Sequence, residues 1–153
     1  MQQDISKLSI RAASWIGAQC LRKYCATVEL EDERINQLCE YIEALATESD
    51  VPAWDERGDN LEITGLGDPM PTELKSYRDL EKLITCVREI SASQIYGAWA
   101  PEYTAKYLRT AMQIADVTLS NKVFEPFMSH DPMMHGWGDS IDESTLNKWK
   151  ENA

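Results

Sequence analysis

The two histidines are the residues best suited to metal binding or to acid–base chemistry, and both lie in one short stretch near the C-terminus. They are His130 and His135, and the same stretch supplies Asp131, Asp139 and two methionines. A separation of five residues does not place two imidazoles on one face of a helix. We therefore predict that the methionines and Trp137 fill an apolar gap while the histidines stay partly exposed. A metal-binding or enzymatic site near His130 and His135 is the alternative.

The four cysteines do not form a recognisable site. They are Cys20, Cys25, Cys39 and Cys86, and their spacing contains no CxxC pair or zinc signature. A nucleophilic thiol needs a neighbouring base, and no local motif supplies one. We expect buried, reduced thiols that act as small apolar side chains.

Motifs that bind phosphate or a dinucleotide are also absent from the sequence. It contains neither GxGxxG nor GxxxxGK[ST]. The paired carboxylates fall mostly in a segment whose composition predicts exposure, where they stay ionised and do no acid–base work. We predict no catalytic residue, no metal and no cofactor, so that the protein is not an enzyme.

The charge distribution is the most unusual property of the chain. The formal net charge is −11. Glu31 to Pro71 contains twelve acidic and two basic residues, giving a local charge of −10. Nucleic acids and anionic membranes both require basic residues for binding, so the charge argues against direct binding to either. Acidic residues concentrated in one segment instead favour a basic protein partner.

We predict that the contact surface for this partner lies in and beside the second half of the acidic segment. Trp54 lies at its centre, and tryptophan is enriched among residues that dominate binding energy. The alternative is that Trp54 turns inward and holds the segment to the helices. The predicted contact residues are Glu40, Glu43, Asp50, Trp54, Asp55, Glu56, Asp59 and Glu62.

The elements that must position these residues are helices in a single domain covering residues 1–153. Apolar residues recur at steps of three and four in four long segments, and strand patterns are nearly absent. We predict an all-α bundle of four main helices and a short C-terminal helix. They run from Asp4 to about Tyr24, from near Leu30 to about Thr47, from Thr72 to about Tyr96 and from Pro101 to Leu119, and the fifth begins at Ser140.

The connection between the second and third helices is predicted to be a long acidic loop. Ser49 to Pro71 has no helical or alternating period and contains three prolines and three glycines. Such long irregular segments are usually functional or mobile. We predict helix caps at Asp4, Thr72 and Ser140, and a close approach of a second helix at Gly17.

The general character of the chain is similar to that of bacterial immunity proteins, which are also small and acidic. We identify no motif of a specific family. This similarity implies a protein that neutralises a basic, nuclease-type toxin by occluding its active site. A DNA-mimicking inhibitor of a host-defence protein is an alternative that uses the same surface. No basic N-terminal stretch is followed by an apolar core, and no apolar run approaches about 18 residues. We therefore expect a cytoplasmic protein.

Overall fold

The computed structural model describes residues 4–95, 100–119, 125–127, 130 and 136–151. Throughout these ranges the protein is all-α, as predicted, and contains no β-strand. Short 3-10 turns occupy Ile5–Lys7, Gly58–Asn60 and Thr72–Leu74. The α-helices are α1 (Ile10–Thr27), α2 (Glu33–Ala44), α3 (Val51–Arg57), α4 (Leu80–Ala92), α5 (Pro101–Ala115) and α6 (Glu143–Glu151).

The central element is α1, which packs against α2, α4 and α5. Its first nine residues are all buried, so it has no exposed face in that half. Arg22 of α1 contacts Asn36 near the start of α2, whereas Gln19 contacts Glu43 near its end. The later residue of α1 thus contacts the earlier residue of α2, so the two helices are antiparallel.

A close approach between α1 and α4 occurs at Gly17, which confirms the prediction for this position. A Cβ atom at Gly17 would lie 2.8 Å from Cδ1 of Ile90 and 3.5 Å from Cγ1 of Val87. A side chain at this position would therefore require the Ile90 side chain to shift. Glycine normally destabilises a helix, but at position 17 it allows α1 and α4 to pack closely.

Two predicted helix starts are wrong because a short 3-10 turn precedes each α-helix, which begins several residues later. Asp4 caps only the first 3-10 turn, and Ser9 caps α1 through the backbone N–H of Ala12. Thr72 begins a 3-10 turn, and α4 starts eight residues later, after Asp79 adopts a φ of +63°. The left-handed conformation of Asp79 ends any continuous helix through this point.

The last two predicted helices show the same kind of difference. Pro101 lies in the first turn of α5, as predicted, but Asp116 has a φ of +55° and α5 ends at Ala115. The predicted cap Ser140 lies outside α6. Asp142 takes that role, since its Oδ1 accepts a hydrogen bond from the backbone N–H of Thr145 at 2.8 Å.

The predicted loop from Ser49 to Pro71 contains a helix, so the prediction of irregular structure throughout is wrong. Asp50 caps α3 through the N–H of Ala53, and Pro52 occupies the first turn. Proline fits there because the first N–H groups of a helix have no intrahelical partner. Pro52, which suggested a break in the chain, instead helps α3 to begin.

The apolar helix patterns also predict that Trp15, Trp99 and Trp149 belong to the core, and the structure confirms this for the two that it describes. Trp15 is 4% exposed and Trp149 is fully buried, with ring centroids 6.1 Å apart. Trp99 lies outside the described residues. No described helix combines the length and apolar character needed to cross a membrane.

Candidate functional site

The inner side of the acidic segment is built on a pair of stacked aromatic rings. Trp54 of α3 and Tyr41 of α2 are nearly parallel, at 7°, with ring centroids 4.4 Å apart. The Tyr41 hydroxyl donates to the carbonyl oxygen of Trp54, and the Trp54 indole N–H donates to the carbonyl oxygen of Tyr41, both at 2.8 Å. The stack and its two reciprocal hydrogen bonds fix α3 against α2.

A buried arginine from α4 completes this group, which we call the anchor cluster (Tyr41, Trp54 and Arg88). The Arg88 guanidinium carbon lies 5.1 Å from the Tyr41 ring centroid and 5.4 Å from that of Trp54. Its Nε donates to the carbonyl oxygen of Thr64 at 3.1 Å, and the residue is 1% exposed. Aromatic faces attract a cation most strongly when water is excluded. Arg88 thereby joins α4 to α3 and to the chain that follows α3.

Two glycines permit this close packing. A Cβ atom at Gly58 would lie 2.6 Å from the Tyr41 hydroxyl oxygen and 3.0 Å from Nη2 of Arg88. At Gly65, with a φ of +74°, a Cβ atom would lie 2.8 Å from Cβ of Arg88. Any side chain at Gly58 would push against the anchor cluster, and at Gly65 it would also strain the backbone.

The turn from Thr64 to Asp68 is stabilised by the Asp68 carboxylate. Asp68 accepts hydrogen bonds from the Thr64 hydroxyl at 2.6 Å and from the Thr64 backbone N–H at 3.1 Å. Burial alone would raise the pKa of Asp68, but these hydrogen bonds lower it on balance. Asp68 therefore stabilises the turn in its ionised form.

Trp54 is consequently not available as a contact residue. Its side chain is fully buried, so a partner surface cannot reach it in this conformation. Its place in the predicted contact set is corrected by the structure. The alternative prediction, that Trp54 holds the segment to the helices, describes the observed packing.

Glu43 is also occupied within the protein. Its two carboxylate oxygens accept from Arg22 at 2.6 and 3.0 Å and from the Gln19 amide at 2.6 Å. Its side chain is 18% exposed. The charge of Glu43 is therefore neutralised by α1, which makes it a poor contact for a basic partner.

The remaining carboxylates of the acidic segment have a different environment. Of its twelve acidic residues, three form ion pairs with Arg22, Arg34 or Arg57, and Asp68 is held by Thr64. The other eight have no ion-pair partner within the described ranges, and seven of them are exposed. These eight are Glu31, Glu33, Glu40, Asp50, Asp55, Glu56, Asp59 and Glu62.

Six of the eight predicted contact residues thus keep an unpaired carboxylate, and we call them the acidic contact set. Asp55 is half-buried and the other five are exposed. Asp50 also caps α3, and Glu40 accepts a hydrogen bond from the Asn36 amide at 3.2 Å. The members are Glu40, Asp50, Asp55, Glu56, Asp59 and Glu62.

His130 belongs to a structural junction at the start of α1. Its Nδ1 lies 2.7 Å from the Ser9 hydroxyl, and its Nε2 lies 2.9 Å from the carbonyl oxygen of Asp139. A carbonyl only accepts, so Nε2 donates to it and the Ser9 hydroxyl can donate to Nδ1 of the neutral ring. Ser9 is fully buried and also accepts from the N–H of Ala12. This serine–histidine pair therefore presents no accessible nucleophile.

Of the two histidines in the predicted metal-binding or enzymatic site, only His130 lies in the described part of the structure. His130 is half-buried, in agreement with partial exposure, and His135 lies outside the described residues. Within the described ranges, no three histidine, cysteine or carboxylate side chains are grouped closely enough to hold a metal ion.

The cysteine prediction is confirmed for three of the four thiols. All four are free; Cys20, Cys39 and Cys86 are buried, and Cys25 is half-buried. Burial raises the pKa of Cys20 and of Cys39 to about 12. These thiols stay protonated at physiological pH, which makes them poor nucleophiles.

A second buried arginine joins the C-terminal segment to the helices. Arg11 is 3% exposed, and its guanidinium donates to the carbonyl oxygens of Gly138 at 3.0 Å, of Glu48 at 2.6 Å and of Leu45. Burial lowers its pKa, although Asp139 and Glu48 partly oppose that effect. Arg11 fixes the end of α2 just before α3 begins.

The two buried arginines were missed in the sequence, although a signal for them exists. Arg88 lies four residues after Ile84, and Arg11 lies four residues before Trp15. Each arginine therefore falls on the apolar face of its helix. A lone arginine in an apolar stripe predicts a buried guanidinium with dedicated acceptors or aromatic partners.

Comparison with known proteins finds no matching family model, no similar curated protein and no similar solved structure.

Proposed function

We propose that this protein is an acidic protein-binding inhibitor that neutralises a basic, nuclease-type toxin by covering its active site, as an immunity protein does. The observation that carries the proposal is the set of eight carboxylates without an ion-pair partner in the described part of Glu31–Pro71. Their concentration in one segment goes beyond the one helix cap that Asp50 supplies to the fold.

Unpaired like charges within one segment repel each other. This repulsion opposes the compact state, and a surface of lysines and arginines would relieve it. An enzyme that cleaves nucleic acid presents such a surface because its substrate is a polyanion. Complementary charge accelerates association and disfavours wrong partners. The unpaired carboxylates therefore match the chemistry of a nuclease active site better than that of a small ligand.

The anchor cluster supports this proposal because it fixes the scaffold that carries the acidic contact set. Trp54 lies in the same short helix as Asp55 and Glu56, and its side chain is locked between α2 and α4. A segment that is already ordered loses less conformational entropy on binding. Trp54 thus contributes to recognition by positioning the carboxylates rather than by contacting the partner.

The test is inhibition of a basic nuclease domain encoded next to this chain in the genome. We expect the purified protein to inhibit nucleic-acid cleavage by that domain at an equimolar ratio. The double substitution Glu56→Lys and Asp59→Lys should reduce the affinity by about a hundredfold, since each close charge pair at such interfaces contributes on the order of 1.5 kcal/mol or more.

The matched control is the pair Lys75→Glu and Arg78→Glu, which reverses two exposed basic residues outside the acidic segment. This control should leave inhibition intact. The proposal is wrong if the unmodified protein does not inhibit cleavage. It is also wrong if the variant with Glu56→Lys and Asp59→Lys inhibits as well as the unmodified protein.

A further inference from the structure

A second feature outside the acidic contact set has the form of a binding site. An open cleft of about 490 Å³ lies where the second half of α1 meets the start of α2. Ligand-binding pockets have volumes of roughly 300–1,000 Å³, so the cleft is large enough for an amino-acid side chain and its neighbours. None of its lining residues belongs to the acidic contact set.

Part of the cleft lining is apolar. Leu30 and Cys25 are half-buried, while Ile35 and Cys39 are almost fully buried. Burial raises the pKa of Cys25 to about 11 and that of Cys39 to about 12. Both thiols are therefore neutral at physiological pH, and the half-buried Cys25 adds apolar surface rather than charge.

The polar part of the lining carries an excess of negative charge. Arg22 is neutralised by Glu43 at 2.6 Å, and Asp32 pairs with Arg34 at 2.7 Å. Glu31 and Glu33 are exposed and have no ion-pair partner among the described residues. The cleft thus combines an apolar surface with two uncompensated carboxylates.

This combination favours a cation with an aliphatic stem over an anion. The N-terminus of α2 would ordinarily attract an anion, but Asp32 already accepts from the N–H groups of Arg34 at 2.9 Å and Ile35 at 3.3 Å. Lysine and arginine side chains lay their methylene groups on apolar surface and keep the charged end at a polar rim. They match both parts of the lining.

We propose that this cleft receives a lysine or arginine side chain of the basic protein partner, as a second docking point beside the acidic contact set. The two regions adjoin, because Asn36 of the cleft donates a hydrogen bond to Glu40 of the contact set at 3.2 Å. The aliphatic stem packs on the half-buried Leu30 and Cys25, and the charged end binds the carboxylates of Glu31 and Glu33. This inference rests on the proposed function for the identity of its occupant.

The cleft can be tested by NMR without the natural partner. The probe is a capped tripeptide with two lysines flanking a leucine, titrated into the isotope-labelled full chain. We expect chemical-shift changes that concentrate on the backbone of residues 22–39. The substitutions Glu31→Gln and Glu33→Gln should weaken peptide binding by about tenfold, as two exposed ion pairs allow. A peptide with glutamine in place of lysine should not bind.

The matched control neutralises two carboxylates of the contact set, with Asp59→Asn and Glu62→Gln. This variant should bind the tripeptide within about twofold of the unmodified protein, because its changes lie outside the cleft. Shift changes spread evenly over all acidic residues, equal weakening by both double variants, or no binding at all would overturn the cleft proposal.

The outcomes also separate this inference from the proposed function. If a nuclease is inhibited equally well by the unmodified protein and by the Glu31→Gln, Glu33→Gln variant, the cleft proposal fails and the proposed function stands. If the peptide occupies the cleft but no basic nuclease is inhibited, the cleft stands as a site for cationic side chains and the proposed function fails.

Discussion

The two sides of α3 have opposite environments in the described structure. On the inner side, Trp54 is fully buried, stacked on Tyr41 and joined to Arg88. On the outer side, Glu56 is exposed and has no ion-pair partner among the described residues. Residues two positions apart in one short helix therefore have opposite environments, one buried in the core and one exposed to solvent.

This difference shows how a protein can keep a strongly charged segment folded. Apart from Asp50, which caps α3, the carboxylates without an ion-pair partner in the described ranges form no strong stabilising contact, so other contacts must hold the segment. The anchor cluster supplies them through aromatic stacking, reciprocal hydrogen bonds and a cation placed against two ring faces. We infer that charge is free to serve binding here because packing alone secures the segment.

The largest expected effect on the free energy of unfolding comes from removing the buried Trp54 side chain on the inner side of α3. Trp54→Ala should lower the free energy of unfolding by about 3–5 kcal/mol, the usual effect of deleting a large buried aromatic side chain. Glu56→Ala, in the same helix, should change it by less than about 0.5 kcal/mol. Urea denaturation followed by circular dichroism measures both, and similar values for the two variants would remove the distinction between the sides.

A smaller effect is expected from crowding the anchor cluster. Gly58→Ala introduces a Cβ atom 2.6 Å from the Tyr41 hydroxyl oxygen, so Tyr41 or Arg88 must shift. We expect a loss of about 1–3 kcal/mol in unfolding free energy, as for overpacked cores. Asn60→Ala changes an exposed residue of the same turn and serves as the control. Equal stability of Gly58→Ala and the unmodified protein would show that the cluster is loosely packed.

Next in size is the contribution of Asp32, a carboxylate that caps a long helix and also forms an ion pair. Asp32 caps α2 and pairs with Arg34, and Asp32→Ala should cost about 1 kcal/mol at pH 7. Hydrogen bonds from Arg34 and the backbone lower the pKa of Asp32 in the folded protein. Its contribution is therefore complete above the unfolded-state pKa of about 3.9 and is lost as the pH falls through the lower folded-state pKa.

The measurement is the difference in unfolding free energy between Asp32→Ala and the unmodified protein at a series of pH values. The difference should shrink as the solution becomes more acidic than pH 4. A difference that stayed constant through this range would mean that the ionised carboxylate is not what stabilises α2.

The smallest effect on stability is expected from the acidic contact set itself. Neutralising two of its exposed members with Glu40→Gln and Glu62→Gln should change the unfolding free energy by less than about 0.5 kcal/mol. A clear loss of stability in this double variant, measured by urea denaturation, would show that these carboxylates support the fold and would weaken their assignment to recognition.

The sequence predicts the all-α class because apolar residues recur at helical spacing over many turns, but it misplaces helix boundaries by up to eight residues. It does not predict α3, since seven residues are too few to show a period and Pro52 resembles a chain break. The turns at Asp79 and Asp116 were missed because left-handed aspartates leave no clear pattern. The exposure of most carboxylates in the acidic segment could be predicted from charge alone, whereas the burial of Trp54 depends on Tyr41 and Arg88, which are distant in sequence.

The most direct test of the central claim is the salt dependence of partner affinity for two proteins, the unmodified chain and the variant with Glu56→Lys and Asp59→Lys. If unpaired carboxylates drive recognition, the affinity of the unmodified protein should fall steeply between about 50 and 500 mM salt. The variant should bind weakly at low salt and show a much shallower dependence, with an unchanged unfolding free energy. Affinity that is insensitive to salt, with equal binding by both proteins, would contradict the account.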